Sequence, residues 1–112
     1  MPEILADPYT VLQTIVNTIQ TGQMRFTAHA QTQMAIRCIT STETIESLTN
    51  HSSEIIENYP DDKYSPSCLM YDVTQSGRIL HVQSNHDAVI ITSYDPDPKK
   101  WIDLKKRRTP QW

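Results

Sequence analysis

Two short segments of the 112-residue chain hold most of the side chains that could do acid/base or phosphate chemistry near neutral pH. The first contains His29 and Arg37, and the second, far downstream, contains Arg78 and His81. Histidine exchanges protons under these conditions because its ordinary pKa is about 6.5. Arginine is always charged and donates paired hydrogen bonds to a phosphate. If the elements that carry the two segments pack together, two histidines and two arginines converge on one site.

The first pair has the spacing of one helix face. Arg37 follows His29 by eight residues, or about two helical turns, so the two side chains point the same way. His29 would lie in the first turn, where the helix dipole favours an anion. The structural alternatives are a backbone hydrogen bond for His29 and a dipole-pairing cation for Arg37.

The second pair lies on a predicted strand. Arg78 and His81 are three residues apart, so they point to opposite faces unless a bulge intervenes. The alternatives are a solvated charge for Arg78 and a half-buried histidine for His81. Tyr94 shares a face with Thr92 on the last predicted strand, where it either orients a substrate or packs at the edge of the core.

Helical periodicity and capping residues dominate the first half of the chain. Asp7 is the expected N-cap of the first helix and Gly22 its stop. Thr27 could cap the second helix, while Thr40 and Glu43 match a capping box that opens the third. Three helices are predicted, over residues 8–21, 28–37 and 41–50.

The second half alternates short apolar strands with turns. Four strands are predicted, over residues 54–59, 67–73, 78–83 and 88–94. Their short connections indicate an antiparallel meander. Since helices must cover one face of this sheet, the expected fold class is α+β, with N-terminal helices packed on a four-stranded antiparallel sheet. From Lys99 onward, Trp101 and Leu104 predict a helical turn before a frayed end.

The composition is that of one soluble domain over residues 1–112, with 38% apolar and 21% charged residues. No apolar run is long enough to cross a bilayer, and the start lacks the pattern of a signal peptide, so we expect a cytoplasmic protein without membrane contact.

Cofactor and metal motifs are absent from the sequence. Gly22 and Gly77 are the only glycines, which excludes a glycine-rich phosphate loop and a nucleotide cofactor bound by one. Cys38 and Cys68 do not have metal-like spacing; they form either one disulfide or, as we expect, a reduced pair of small core residues. No metal or cofactor is predicted.

Charge is divided unevenly along the chain. Residues 1–98 hold four basic and twelve acidic side chains, while residues 99–112 hold six basic side chains and only Asp103. The tail therefore docks on the acidic body, contacts an anionic partner such as RNA, or stays solvated. Trp101 is expected to pack on the body. The basic residues of this tail are the candidate RNA contacts: Lys99, Lys100, Lys105, Lys106, Arg107 and Arg108.

Several motifs resemble those of domain of unknown function 4258, over about residues 26–101. The helix over 8–21 and the tail after Trp101 lie outside the resemblance. Three of the motifs are Phe26-Thr27-x-His29-Ala30, Gly77-Arg78-x-Leu80-His81-Val82 and Ile91-Thr92-x-Tyr94-x-Pro96-Asp97.

The resemblance implies a function. Members are small bacterial proteins, many of them cyanobacterial, and the family is similar to the RelE-like toxins of toxin–antitoxin pairs. It thus implies a metal-independent ribonuclease, with RNA and a cognate antitoxin as partners. His29 and His81 would be acid/base candidates, Arg37 and Arg78 would bind phosphate, and Tyr94 would contact substrate. Gln33 stands where members usually carry arginine, so the implied cation beside His29 is missing.

Two other functions stay open at the level of sequence. A non-enzymatic module of the same fold would bind protein or nucleic acid through the sheet and the basic tail. Gln33 in place of an arginine would then be a sign of lost catalysis. The acidic body argues against strong free RNA binding by a toxin, because ribonuclease toxins are usually basic. A small-molecule enzyme is the third option, and no cofactor motif supports it.

Overall fold

The three predicted helices all form. A computed structural model describes residues 8–50, 53–62 and 65–108. The helices are α1, Pro8–Gln20; α2, Ala28–Ile36; and α3, Ser41–Thr49. Each ends one residue earlier than its predicted range. The expected N-cap Asp7 lies outside the described residues.

Side-chain caps fix the start of α2 and of α3. Thr27 Oγ1 accepts a hydrogen bond from the Ala30 amide at 2.9 Å. Thr40 and Glu43 form the predicted capping box, since each side chain accepts from the other's backbone amide at 3.0 Å. The caps satisfy backbone amides that lack helical partners, so they determine where α2 and α3 begin.

The sheet has five strands, one more than predicted. The four long strands form the expected antiparallel meander: β2, Glu54–Tyr59; β3, Ser67–Val73; β4, Ile79–Asn85; and β5, Val89–Tyr94. However, β1, Arg25–Phe26, pairs in parallel with β5, which makes the sheet mixed in the order β1-β5-β4-β3-β2. The prediction of four antiparallel strands was therefore incomplete, because two residues are too few to show strand alternation.

The helices cover one face of the sheet, as the α+β prediction required. Ile15 of α1, Met34 of α2 and Leu48 of α3 are all buried against this face. The core residues from the sheet are Cys68, Met70, Leu80, Val82 and Ile90. No described helix has the length and apolar character that a membrane span requires.

Two β-bulges change which side chains reach the opposite face. In β2 the pairing skips Ile56, so Glu57 lies opposite Leu69 rather than Cys68. In β5 the pairing skips Ile91, so Tyr94 lies opposite His81. A bulge shifts the alternation by one residue and moves all later side chains to the other face.

A C-terminal hairpin covers much of this second face. It consists of β6, Trp101–Ile102, and β7, Lys106–Arg107. Asp103 and Leu104 have φ values of 52° and 60°, the left-handed conformation of a type I′ hairpin turn. The predicted helical turn and frayed end are therefore wrong for residues 101–107, which we call the strap. Trp101 does pack on the body, at 3% exposure.

The two cysteines are free, and they differ in environment. Cys68 is buried in the core, as expected, whereas Cys38 is exposed at the end of α2. The prediction of a core position was wrong for Cys38, because it is the residue at which the chain turns out of the helix, with a φ of 56°.

Candidate active site at the end of the sheet

A cleft of about 290 Å³ opens where the end of α2, the end of β5 and the strap meet. Two proposed catalytic residues and two proposed RNA contacts lie together there. The lining residues are Arg37, Tyr94, Asp95, Asp97, Lys100, Trp101 and Arg107.

His81 lies behind Tyr94, on the strap-covered face. Its Nε2 is 2.5 Å from the Leu104 carbonyl oxygen, and its Nδ1 is 3.2 Å from the Tyr94 hydroxyl. A carbonyl oxygen only accepts, so Nε2 carries the hydrogen and Nδ1 accepts from Tyr94. His81 is therefore held as one neutral tautomer with both ring nitrogens bonded.

Burial reinforces the neutral state of His81. The side chain is completely buried, and the Trp101 ring meets it edge-on at 4.5 Å between centroids. Loss of hydration lowers the pKa of His81, and the Arg107 charge adds to this, while the Leu104 hydrogen bond and the Glu57 charge oppose it. His81 does not meet solvent, so it acts on a ligand only through Tyr94.

Tyr94 presents its hydroxyl between His81 and the cleft. It is half-buried, and loss of hydration raises its pKa. The nearby Arg107 and Arg37 charges lower this pKa and the Glu57 charge raises it further. The hydroxyl is thus protonated at neutral pH and donates to His81, while its oxygen can still accept a hydrogen bond from a ligand.

Arg37 supplies an uncompensated positive charge at the cleft. Its guanidinium carbon lies 5.8 Å from the centre of the Tyr94 ring, and its side chain is exposed. Within the described part of the chain, Arg37 and the exposed Lys100 form no ion pair with a carboxylate. Both cations are therefore available to an anion.

Arg78, by contrast, is fully engaged in holding the fold. It donates to Asp95 from Nε at 2.8 Å and from Nη2 at 3.0 Å, and to Glu43 from Nη1 at 3.2 Å. It also donates to the carbonyl oxygens of Arg37 and Cys38, at 3.2 and 3.0 Å. The hydrogen bonds with Asp95 are the main reason that the pKa of Arg78 is raised. Arg78 therefore connects the end of α2, the start of α3 and the end of β5.

His29 lies away from the cleft. It is exposed in the first turn of α2, whereas the cleft begins beyond the last turn. A rise of 1.5 Å per residue places His29 about 12 Å along the helix from Arg37. The two histidines and two arginines consequently do not converge, although Arg37 and His81 both lie near Tyr94.

The basic tail divides into two groups. Lys105 pairs with Glu54 at 2.9 Å, but this pair is about half exposed to water. Arg107 pairs with Glu57 at 2.9 Å in a less exposed contact, and this pair holds the strap on β2. Arg108 donates to the Pro98 carbonyl oxygen at 3.0 Å. Lys99, Lys100 and Lys106 are exposed. As far as residue 108, the last that the structure describes, the tail thus docks on the acidic body, the first of the options that its charge left open.

The sequence did not indicate that Glu57 anchors the strap or that Trp101 lines the cleft. Glu54 and Glu57 are three residues apart, so simple alternation places them on opposite faces. The bulge at Ile56 brings both to the strap, and no residue in this segment signals a bulge.

Elsewhere the described residues offer less chemistry. They contain no group of three or more histidine, cysteine, aspartate or glutamate side chains that could hold a metal ion. A second cavity of about 490 Å³ lies between α1 and the end of α3. Its walls combine apolar side chains with uncharged polar ones, including Leu12, Val16 and Leu48, and no charged side chain lines it.

The sequence model of the family described as Domain of unknown function (DUF4258) matches residues 26–102, more than half of the chain. The protein belongs to this family. No curated protein and no solved structure matches the chain significantly.

Proposed function

We propose that this member of the DUF4258 family is a metal-independent ribonuclease and the toxin of a bacterial toxin–antitoxin pair. The observation that carries the proposal is the Tyr94 hydroxyl, backed by neutral His81 and flanked by the uncompensated charge of Arg37. The proposal includes a relation of this family to the RelE-like toxins, which the resemblance of the sequence motifs implies.

The cleft contains the groups that such a cleavage requires. Tyr94 takes the proton of a ribose 2′-hydroxyl as its own proton passes to Nδ1 of His81. The 2′ oxygen then bonds to phosphorus, the bond from phosphorus to the 5′ oxygen breaks, and water protonates the departing oxygen. The hydroxide that this leaves takes the proton of His81 back through the Tyr94 hydroxyl, which restores the neutral histidine. Arg37 and Lys100 place positive charge beside the phosphate and stabilise the negative charge that it gains as the 2′ oxygen attacks.

This proposal assigns different roles to the sequence candidates. Tyr94 contacts the substrate, and Arg37 binds phosphate. His81 positions the Tyr94 hydroxyl and takes its proton. Arg78 serves the fold because its donors already bond two carboxylates and two carbonyls. His29 lies outside the reacting site. Among the tail cations, the exposed residues Lys99, Lys100 and Lys106 would guide RNA to the cleft.

RNA cleavage in the presence of a chelator tests the proposal, with ribosomes present and absent. We expect Tyr94→Phe and Arg37→Ala each to lower the rate about 100-fold or more, in the range for removal of an acid/base group or a charge-stabilising donor. His29→Ala is the matched control and should cleave as the wild type does. Loss of cleavage in the control with retention in both cleft variants would move the site to α2.

One observation favours a non-enzymatic alternative. Asp95 and Asp97 also line the cleft, and the Arg107 charge is already compensated by Glu57, so the cleft is less basic than its arginines suggest. A module of this kind would bind RNA or a protein without cleavage. Folded wild-type protein that binds RNA but leaves it intact under every condition would support this alternative.

Expression in bacteria tests the biological part of the proposal. A cytoplasmic ribonuclease toxin should arrest growth, Tyr94→Phe should relieve the arrest, and co-expression of a cognate antitoxin should do the same. Unhindered growth with soluble wild-type protein would count against the toxin function.

A further inference from the structure

The strap forms one wall of the cleft. Trp101 and Arg107 line it from the strap, and Lys100 lines it from the residue just before. Arg37 and Tyr94 line it from the body. The cleft therefore has its observed shape only while the strap is docked. The family match ends at residue 102, so most of the strap lies beyond the family domain.

A two-pronged ion pair anchors the strap. Arg107 donates from Nε to Glu57 Oε2 at 3.1 Å and from Nη2 to Glu57 Oε1 at 2.9 Å. Tyr59 also donates its hydroxyl to Glu57 Oε1. The Arg107 and Glu57 side chains are 28% and 22% exposed, so water screens this pair only partly. Paired charge-assisted hydrogen bonds are among the stronger side-chain contacts.

The arginine of this pair also contacts the Trp101 ring. The Arg107 guanidinium carbon lies 4.5 Å from the ring centroid, within the range of a cation–π contact. The Trp101 ring also packs edge-on against His81. Arg107 is thereby fixed between Glu57 and Trp101, with its Nε and one terminal nitrogen already in use.

A β-bulge in β2 places Glu57 on the strap side of the sheet. The bulge at Ile56 moves Glu57 to the strap side, where unbroken alternation would direct it to the helices. Without the bulge, a carboxylate would enter the apolar core beside Cys68.

The strap's turn is held in a conformation that its residues disfavour. Leu104 has a φ of 60°, which costs an ordinary L residue about 1–2 kcal/mol. Its carbonyl oxygen is the acceptor for Nε2 of His81. Such a conformation persists where surrounding contacts enforce it. Two contacts hold this turn in place. One is the ion pair between Arg107 and Glu57, and the other is the hydrogen bond from His81 to the Leu104 carbonyl oxygen.

We propose that Glu57 and Arg107 are a positioning pair, which fixes the strap so that Trp101 and Lys100 line the cleft with Tyr94. Arg107 acts through strap docking and does not itself bind the ligand. The ligand readout rests on the proposed function, since RNA is the probe, whereas strap docking is measured without a ligand.

Tryptophan fluorescence measures docking directly. The chain has only two tryptophans, so Trp112→Phe leaves Trp101 as the single reporter. In this background we expect Glu57→Gln and Arg107→Gln to shift Trp101 emission to longer wavelength and to increase its quenching by iodide. Circular dichroism should show that the helices and sheet remain.

RNA affinity is measured on the same variants with a short fluorescein-labelled single strand. Both variants should bind about tenfold more weakly, the equivalent of about 1.4 kcal/mol. Lys105→Gln is the matched control, because it also removes a strap cation but from a pair that is about half exposed. It should leave Trp101 emission and RNA affinity near those of the background protein.

Three outcomes would overturn the proposal. The first is Trp101 emission that stays unchanged in both Glu57→Gln and Arg107→Gln. The second is weaker RNA binding by Arg107→Gln alone, which would make Arg107 a direct RNA contact. The third is an equal effect of Lys105→Gln. If the background protein binds no RNA, the proposed function fails, and Trp101 emission still decides whether the pair positions the strap.

Discussion

His81 accepts a hydrogen bond from the hydroxyl of Tyr94, directly opposite it on the neighbouring strand, at 3.2 Å. Its other ring nitrogen donates to the Leu104 carbonyl oxygen of the strap. One neutral side chain therefore connects two central strands to the wall of the cleft. Any change in its charge affects the sheet and the cleft together.

Acid should destabilise the protein through His81. Burial lowers its pKa in the folded state, so the unfolded chain binds this proton more readily. The stabilisation is complete above the ordinary pKa of about 6.5 and is lost as the pH falls toward the folded value. The buried Asp72 carboxyl, whose pKa is raised to about 8, has the opposite effect in this window. In an Asp72→Asn background, which removes that effect, we expect the free energy of unfolding, measured with urea, to decrease from pH 6.5 to pH 5.

The His81→Gln variant is the comparison for this effect. In the same Asp72→Asn background it should be less stable at pH 7, because glutamine does not fill the same buried site, and its stability should depend less on pH between 6.5 and 5. The ordinary pKa values of the partnered glutamates lie below this window. Equal pH dependence in wild type and variant would contradict the assignment.

Alkali should destabilise the protein through Asp72. This side chain is completely buried on the helix side of β3, and one of its oxygens has no hydrogen-bond partner among the described residues. Burial raises its pKa from 3.8 to about 8, although a hydrogen bond from Ser53 opposes the shift. The folded state therefore keeps a proton that the unfolded chain releases, and stability falls as the pH rises from about 3.8 to about 8.

The window between pH 6.5 and 8 isolates this contribution from that of His81. There the free energy of unfolding should decrease with a slope of up to about 1.4 kcal/mol per pH unit. Asp72→Asn should remove the slope, and the exposed control Asp87→Asn should retain it. A flat profile in the wild type would mean that Asp72 is ionised in the fold.

Removal of Arg78 should reduce stability. Arg78→Ala loses charge-assisted hydrogen bonds to Asp95 and Glu43 and leaves carbonyl oxygens at the end of α2 without their donor. We expect a loss of about 2 kcal/mol by urea unfolding, since charge-assisted bonds contribute more than neutral ones. Lysine should restore little, because its single ammonium does not span the same acceptors.

Arg25→Ala is the control for this prediction. Arg25 is exposed on the edge strand and has no ion pair within the described part of the chain. Its loss should change stability by no more than about 0.5 kcal/mol. If Arg78→Ala were as stable as Arg25→Ala but defective in RNA binding, Arg78 would belong to the site after all.

Glycine at position 38 should stabilise the protein. Cys38 ends α2 with a φ of 56°, the Ile39 amide donates to the Met34 carbonyl at 2.9 Å, and the Cys38 amide donates to Ala35 at 3.3 Å. These two bonds define a Schellman motif, in which glycine is the preferred residue at position 38. Cys38→Gly should raise the free energy of unfolding by about 1 kcal/mol.

Ala35→Gly tests whether the effect depends on the left-handed backbone. This exposed position lies inside α2, where glycine should cost about 1 kcal/mol. Thermal unfolding of both variants and of the wild type at one pH gives the comparison. Destabilisation by both glycines would contradict the strain assigned to Cys38.

Local sequence patterns determined most of the secondary structure. The capping box of Thr40 and Glu43 and the apolar spacing of the helices predicted three helices to within one residue. Alternation and turn residues predicted four strands, and two of them, β2 and β3, have the predicted bounds. These features depend on residues close in sequence, so the sequence shows them directly.

The candidate site was only partly visible in this way. Sequence reasoning selected Arg37, His81, Tyr94, Lys100 and Arg107, all of which lie in or behind the cleft. It did not separate them from His29, which lies far along α2, or from Arg78, which bonds within the fold. A residue type indicates what a side chain can do, but its partners decide whether it is free to do it.

Tertiary structure alone decided the sheet order, the faces and the strap. The bulges at Ile56 and Ile91 shift the alternation of β2 and β5, and β1 is too short to carry a pattern. The docking of Arg107 on Glu57 joins residues that are fifty positions apart in the chain. The sequence determined the local elements and the available charges, because those follow from neighbouring residues. Which charges meet depends on long-range packing, which only the folded chain establishes.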